Sequence, residues 1–150
     1  MIKFLLFSAA VIFSSVCGVA AQARAPLPDA KIPAYVLSSP AYAEILLRRT
    51  EFEAEQEALS ADYTDDFPRL REIRFILSAL KTETARLSSV KQDEQSRLTL
   101  ALGRLIIRKV EVETDLWHLS EKYRDEHPEV KRAKRKVEIF ESAIKEILGG

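Results

Sequence analysis

The residue types that carry acid–base, metal or nucleophilic chemistry are present in this sequence, but they do not converge. There are two histidines: His118 directly follows Trp117, and His127 directly precedes Pro128. Neither has a second histidine or a cysteine at metal-ligand spacing, and no His-Glu-x-x-His stretch accompanies them. Sixty residues earlier the corresponding positions are Ala58 and Phe67. His127 is therefore expected to pack or hydrogen-bond within a turn. Carboxylates crowd one stretch: Glu51, Glu53, Glu55 and Glu57, then Asp62, Asp65 and Asp66. A carboxylate pair does acid–base work when burial raises the proton affinity of one member. Here the acids lie near Arg48, Arg49 and Arg69, the pattern of a solvated, salt-bridged face. No histidine is placed to activate a serine or threonine, and no glycine-rich phosphate loop occurs. The sequence predicts no catalytic residue, no metal and no cofactor.

Lys131, Arg132, Lys134, Arg135 and Lys136 form the strongest local charge feature. Such a run can contact an anionic polymer or lipid. Glu129, Glu138 and Glu141 neighbour it and no aromatic residues interleave for stacking, so a solvated face is the favoured reading. Nucleic acid is not an expected partner. Tyr63, Trp117 and Tyr123 lie in or beside apolar stripes, where core or interface packing accounts for them.

These residues must be positioned by helices. Only four of the 150 residues are glycine, too few for a sheet protein with many tight turns. Charged residues make up 31% and balance to zero, so no global field draws the chain to nucleic acid or membrane. Lys3, the apolar run over residues 4–16 and the small residues of Val19-Ala20-Ala21 and Ala21-Gln22-Ala23 read as a cleavable secretory signal over residues 1–21. The expected compartment is periplasmic or secreted, with membrane contact only if that segment stays uncleaved. Cys17, the only cysteine, leaves with the signal, so packing alone must stabilise the mature chain. Residues 22–39 are rich in proline and read as a tether, with partial docking of Tyr35, Val36 and Leu37 near its end.

Shifted by sixty residues, the sequence matches itself without a gap. Ile45-Leu46-Leu47-Arg48-Arg49-Thr50-Glu51-Phe52-Glu53 lies over Leu105-Ile106-Ile107-Arg108-Lys109-Val110-Glu111-Val112-Glu113. Tyr63-Thr64-Asp65-Asp66-Phe67-Pro68 lies over Tyr123-Arg124-Asp125-Glu126-His127-Pro128. The pattern predicts tandem copies of one helical hairpin over 40–90 and 98–150. Tyr42, Ile45, Phe52, Leu59 and Tyr63 form a heptad-like stripe with Arg49 and Gln56 as polar members. Leu102, Leu105, Val112, Leu116, Leu119 and Tyr123 repeat it, with Lys109 as the polar member. Ser39 is expected to cap the first helix, with Pro40 in its first turn. Phe67 and His127, each before a proline, should leave the helix, so that Pro68 and Pro128 open the return helices. Tyr63, Pro68, Tyr123, His127 and Pro128 are thus the turn residues. The return stripes are Leu70, Ile73, Leu77, Leu80 and Leu87, then Val130, Ala133, Val137, Phe140, Ile144 and Ile147.

Residues 91–97 form a polar link containing neither glycine nor proline. If it breaks, the hairpins fold onto each other as a four-helix bundle. If it stays helical, residues 68–126 make an extended coiled-coil rod of roughly 90 Å. A lone hairpin leaves apolar surface wet, so the bundle is favoured, with Ser89 and Gln92 as a capping box that starts the next helix.

The two turn segments resemble the periplasmic coiled-coil helices of polysaccharide chain-length determinant proteins. In those proteins a tyrosine, a few polar residues and His-Pro lead into a second amphipathic helix. The second copy, through Glu138, is the closer. The resemblance implies a periplasmic scaffold beside a machine that exports envelope polysaccharide. That family is also anchored by two membrane helices and carries an α/β base, whereas this sequence shows one N-terminal apolar segment. The expected function is a non-catalytic interaction protein, using its helical stripes to bind a partner or another copy. The rival expectation is a holdase-like chaperone or an anionic-polymer or lipid binder using the basic last helix.

Overall fold

The structure, a computed structural model, describes residues 32–149. The expected signal and most of the proline-rich segment lie outside the described residues. All regular structure within them is helical: α1 (Ala34–Leu37), α2 (Pro40–Asp62), α3 (Pro68–Ser88), a 3-10 turn (Gln92–Arg97), α4 (Leu100–Lys122) and α5 (Pro128–Leu148). The long helices recur at the sixty-residue offset, α2 with α4 and α3 with α5, at both ends of each.

Local chemistry sets those boundaries. Ser39 Oγ accepts the Tyr42 N–H at 3.2 Å and Pro40 is the first helical residue of α2. Thr99 plays the same part for α4, accepting from the Leu102 N–H at 3.3 Å. Tyr63 and Tyr123 end α2 and α4 with extended backbone, at φ −125°, ψ 151° and φ −130°, ψ 152°. Phe67 and His127 hold ψ at 126° and 136°, outside the helical region as a following proline demands. Gly149 closes α5 in the left-handed region at φ 78°.

The linker breaks, but not at the expected residue. Ser89 sits at φ −86°, ψ −9°, the wrong backbone for an N-cap, and its hydroxyl donates back to the Arg86 carbonyl at 2.7 Å. It therefore closes α3 instead of opening the next helix. The 3-10 turn follows from Lys91 without a side-chain cap, and Thr99 starts α4.

The two hairpins pack together as a four-helix unit. α4 is central and touches α2, α3 and α5. Gly103 faces Ala41 and Arg48 approaches Glu111, so α2 and α4 run parallel, and both proline-led turns lie at one end. Fully buried Ile45, Ile73, Leu80, Leu102, Ile106 and Ile144 draw on all four helices. Burial of this kind contributes about 1.5–3 kcal/mol per large apolar side chain. Over residues 32–39 the chain docks on the helices as expected near the end of the tether. Val36 is fully buried, and the Tyr35 hydroxyl donates to the Val90 carbonyl beside the linker. Ile106, which the heptad stripe omitted, is fully buried, while Leu105 is only half-buried. Among the described residues, no helix is long and apolar enough to cross a membrane.

Candidate functional site: a buried ion cluster beneath an open groove

Five charged side chains from three helices meet inside the bundle. Lys109 Nζ of α4 lies 2.6 Å from Glu83 Oε1 of α3, 3.1 Å from Glu141 Oε2 of α5 and 3.2 Å from Glu113 Oε1 one turn along α4. Arg86 of α3 pairs with Glu141 at 3.0 Å and approaches Glu83 at 3.8 Å. The Glu83 and Lys109 side chains are only 5% and 10% exposed, so neither can be left alone without a large desolvation cost.

Lys109 and Glu141 are each held toward the charged form. Burial alone would lower the Lys109 pKa, but the hydrogen bond and charge of Glu83, aided by Glu113 and Glu141, raise it well above the ordinary lysine value. Burial pushes the Glu141 carboxyl up, and Lys109 and Arg86 more than reverse this, holding it below the usual carboxylate range. A lysine held protonated is a poor base or nucleophile near neutral pH, and such a carboxylate is a poor acid. The arrangement ties α3, α4 and α5 together through charged contacts.

Above the cluster lies an open groove of about 470 Å³ between α3, α4 and α5, lined by Phe75, Ala79, Leu116, Trp117 and Val137. Phe75 and Trp117 stack at 5.4 Å between centroids. A second cleft, of about 320 Å³, is rimmed by Arg48, Arg69, Arg108, Glu72 and Glu111. On its floor Phe52 lies under the guanidinium groups of Arg48 and Arg69, at 4.6 and 5.8 Å from the ring centroid. Arg69 also holds Glu55 bidentately at 2.7 and 2.9 Å, which keeps the Glu55 carboxyl below its ordinary value. Arg48 pairs with Glu51 and Arg49 with Glu53, so much of the acidic stretch is spent in ion pairs.

The turn residues come together as pairs. Tyr63 stacks on Phe67 and Tyr123 on His127, both at 4.1 Å. His127 Nδ1 accepts the Glu129 N–H at 3.2 Å, capping α5. Tyr63 and Tyr123 stay 48% and 44% exposed, so they do not join the core as their stripe positions suggested. Their extended backbone turns each ring off the helix face and onto the residue before proline. His118 is half-exposed, 3.6 Å from Glu72. Among the described residues, no group of three or more His, Cys, Asp or Glu is placed to hold a metal ion.

The basic run is divided along α5. Arg132 pairs with Glu129, Arg135 with Glu138 and Lys134 with Asp125 across the turn. Lys131, Arg132, Arg135 and Lys136 are exposed and Lys134 is half-buried. Sequence reasoning missed Glu83, Arg86 and the inward role of Glu141. The signal was the apolar stripe of α3, which skips from Leu80 to Leu87 and leaves Glu83 facing inward.

Comparison with family models, curated proteins and solved structures returns no match. What the chain does must be argued from its own geometry.

Proposed function

We propose that this chain is a non-catalytic scaffold of the cell envelope, exported by its N-terminal signal, that works by presenting helical faces to other proteins. The observation that carries this reading is where the large apolar side chains remain on the surface. Leu47 on α2 and Ile139 on α5 are 59% and 57% exposed, on outward helix faces. The buried charges are meanwhile neutralised within the fold. Such a molecule offers contact surface rather than a reacting centre. The sixty-residue recurrence of the helices supports tandem duplication of one hairpin. The resemblance of the Tyr63–Pro68 and Tyr123–Pro128 turns to chain-length determinant helices supports a place beside envelope polysaccharide export.

A second reading rests on the exposed members of the basic run of α5, Lys131, Arg132, Arg135 and Lys136, which suit an anionic glycan or lipid surface. It is the weaker, because Arg132 and Arg135 already pair with glutamates on their own helix. Two measurements test the first reading. An export-dependent reporter fused after Gly150 should be active. A photo-reactive residue at Leu47 or Ile139 should capture a protein in intact cells. An inactive reporter, or no adduct from either position, refutes it.

A further inference from the structure

The chain contains one example of how a hairpin of this sequence docks on its neighbour. Contacts across that interface include three side-chain pairs. Arg48 of α2 approaches Glu111 of α4 at 3.7 Å, Phe75 of α3 stacks on Trp117 of α4, and Arg86 of α3 pairs with Glu141 of α5 at 3.0 Å. Among the described residues, the second hairpin meets no third one. Its equivalent surface, and the surface of the first hairpin that would meet an earlier one, both face outward.

Advance each contact by sixty residues on the docking side, and set it against the first hairpin of another molecule. Arg108 then meets Glu51 of the second copy, where Arg48 meets Glu111 within the chain. Arg135 meets Glu57 of the second copy, an ion pair in place of the Phe75–Trp117 stack. Glu146 meets Lys81 of the second copy, the Arg86–Glu141 pair with its charges reversed. All six residues are free of the core: Glu57, Lys81 and Glu146 are exposed, and the side chains of Glu51, Arg108 and Arg135 are 52%, 64% and 75% exposed.

The other charged pairs between the hairpins map without a clash of like charge. Arg71–Glu121 becomes Lys131 against Ala61, Glu72–His118 becomes Arg132 against Ala58, and Glu83–Lys109 becomes Ala143 against the Arg49–Glu53 pair. The two exposed apolar side chains fall on the same surfaces. Leu47 is the counterpart of Ile107, which is half-buried beside the Arg48–Glu111 contact. Ile139 is the counterpart of Ala79, which packs on the core beside Trp117. Charged outer faces also serve as solvated caps on repeat arrays. A cap needs charge, but it does not need opposite charge at each position that an internal interface pairs.

We infer that the protein self-associates head to tail, the outer face of α4 and α5 (Arg108, Arg135, Ile139) docking on the outer face of α2 (Leu47, Glu51, Glu57) of a second copy. This is a heterologous contact on the faces equivalent to the internal interface; Ala43 stands where Gly103 lies in the internal one, so the two docked helices sit further apart than α2 and α4 do. It deepens the scaffold reading by naming the partner, and its failure can be told from a failure of that reading.

Sedimentation of the purified chain over a wide concentration range at low salt should show association that weakens as salt screens the pairs. Glu51→Lys/Glu57→Arg spoils only the α2 face, and Arg108→Glu/Arg135→Glu only the α4–α5 face. Each double variant alone should lose association by about tenfold or more. An equimolar mixture should regain it, because each variant keeps the face the other lacks. Circular dichroism matching the parent shows that the variants are folded, and single Glu57→Arg and Arg135→Glu replace any that are not. A chain monomeric throughout overturns the inference, as does a mixture no more associated than its parts, or a variant that still associates fully. A monomer that captures a different protein through Leu47 or Ile139 refutes self-association and leaves the scaffold reading intact.

Discussion

Lys109 and Glu83 face each other at 2.6 Å across the interior, one from each hairpin, and they are the most buried ion pair described in the protein. Their position explains why a charged residue sits in the apolar stripe of α4. It meets another charge that sits in the stripe of α3.

Removing one partner should be costly. Lys109→Met leaves Glu83 buried without its cation, and breaking a buried pair in this way costs about 3–5 kcal/mol. Lys109→Met combined with Glu83→Met should recover much of that loss, since the strain comes from the orphaned charge and not from lost bulk. Urea denaturation of the single and double variants measures both effects, and equal loss in each would show that the pair is not coupled.

This cluster and the Arg69–Glu55 pair together set the dependence of stability on pH. Arg69 holds Glu55, and Lys109 with Arg86 holds Glu141, below the ordinary glutamate value. Their contribution is present above the unfolded value of about 4.3 and is lost as pH falls through the lower folded values. The urea midpoint should therefore hold from neutral down to about pH 5 and decline below it. Lys109 is shifted the other way, so its contribution is full below the unfolded lysine value of about 10.4 and fades above it. Lys109→Met should flatten the alkaline fall.

Gly103 packs a backbone against a backbone. A Cβ there would meet the Ala41 carbonyl oxygen at 2.9 Å and Glu44 Cβ at 3.0 Å. In an open helix Gly→Ala gains about 1 kcal/mol. Here Gly103→Ala should instead destabilise by about 1–3 kcal/mol, because α2 must move off α4. A raised thermal midpoint would place the two helices further apart than described.

The N-terminal approach should matter to the fold. Val36→Ala removes fully buried methyl groups and should cost about 2 kcal/mol. If stability is unchanged, residues 32–39 are a passive tether.

How far the sequence discloses this structure depends on the range of the interaction. The start of α2 and both reversals were legible because their signals are local: Ser39 with Pro40, and a proline after Phe67 and after His127. Ser89 looked like an equally good local signal and misled. Its backbone is already committed to closing α3, and Thr99, without a glutamate or glutamine three residues on to complete a capping box, does the work. Tyr63 and Tyr123 obey the heptad spacing in sequence, yet the backbone extends at just those residues and turns them out. The ion cluster was least legible, because Glu83, Lys109 and Glu141 are brought together only when the hairpins pack.

The fate of the linker between α3 and α4 is the hinge of the whole account, and one distance decides it. Arg71 of α3 forms a salt bridge with Glu121 of α4. Spin labels on cysteines at these two positions, in a Cys17→Ser background, should report touching helices, whose axes lie about 10 Å apart. A continuous α3–α4 rod would instead separate them by about 75 Å at 1.5 Å per residue. A single short distance supports the folded pair of hairpins, and a long one contradicts it.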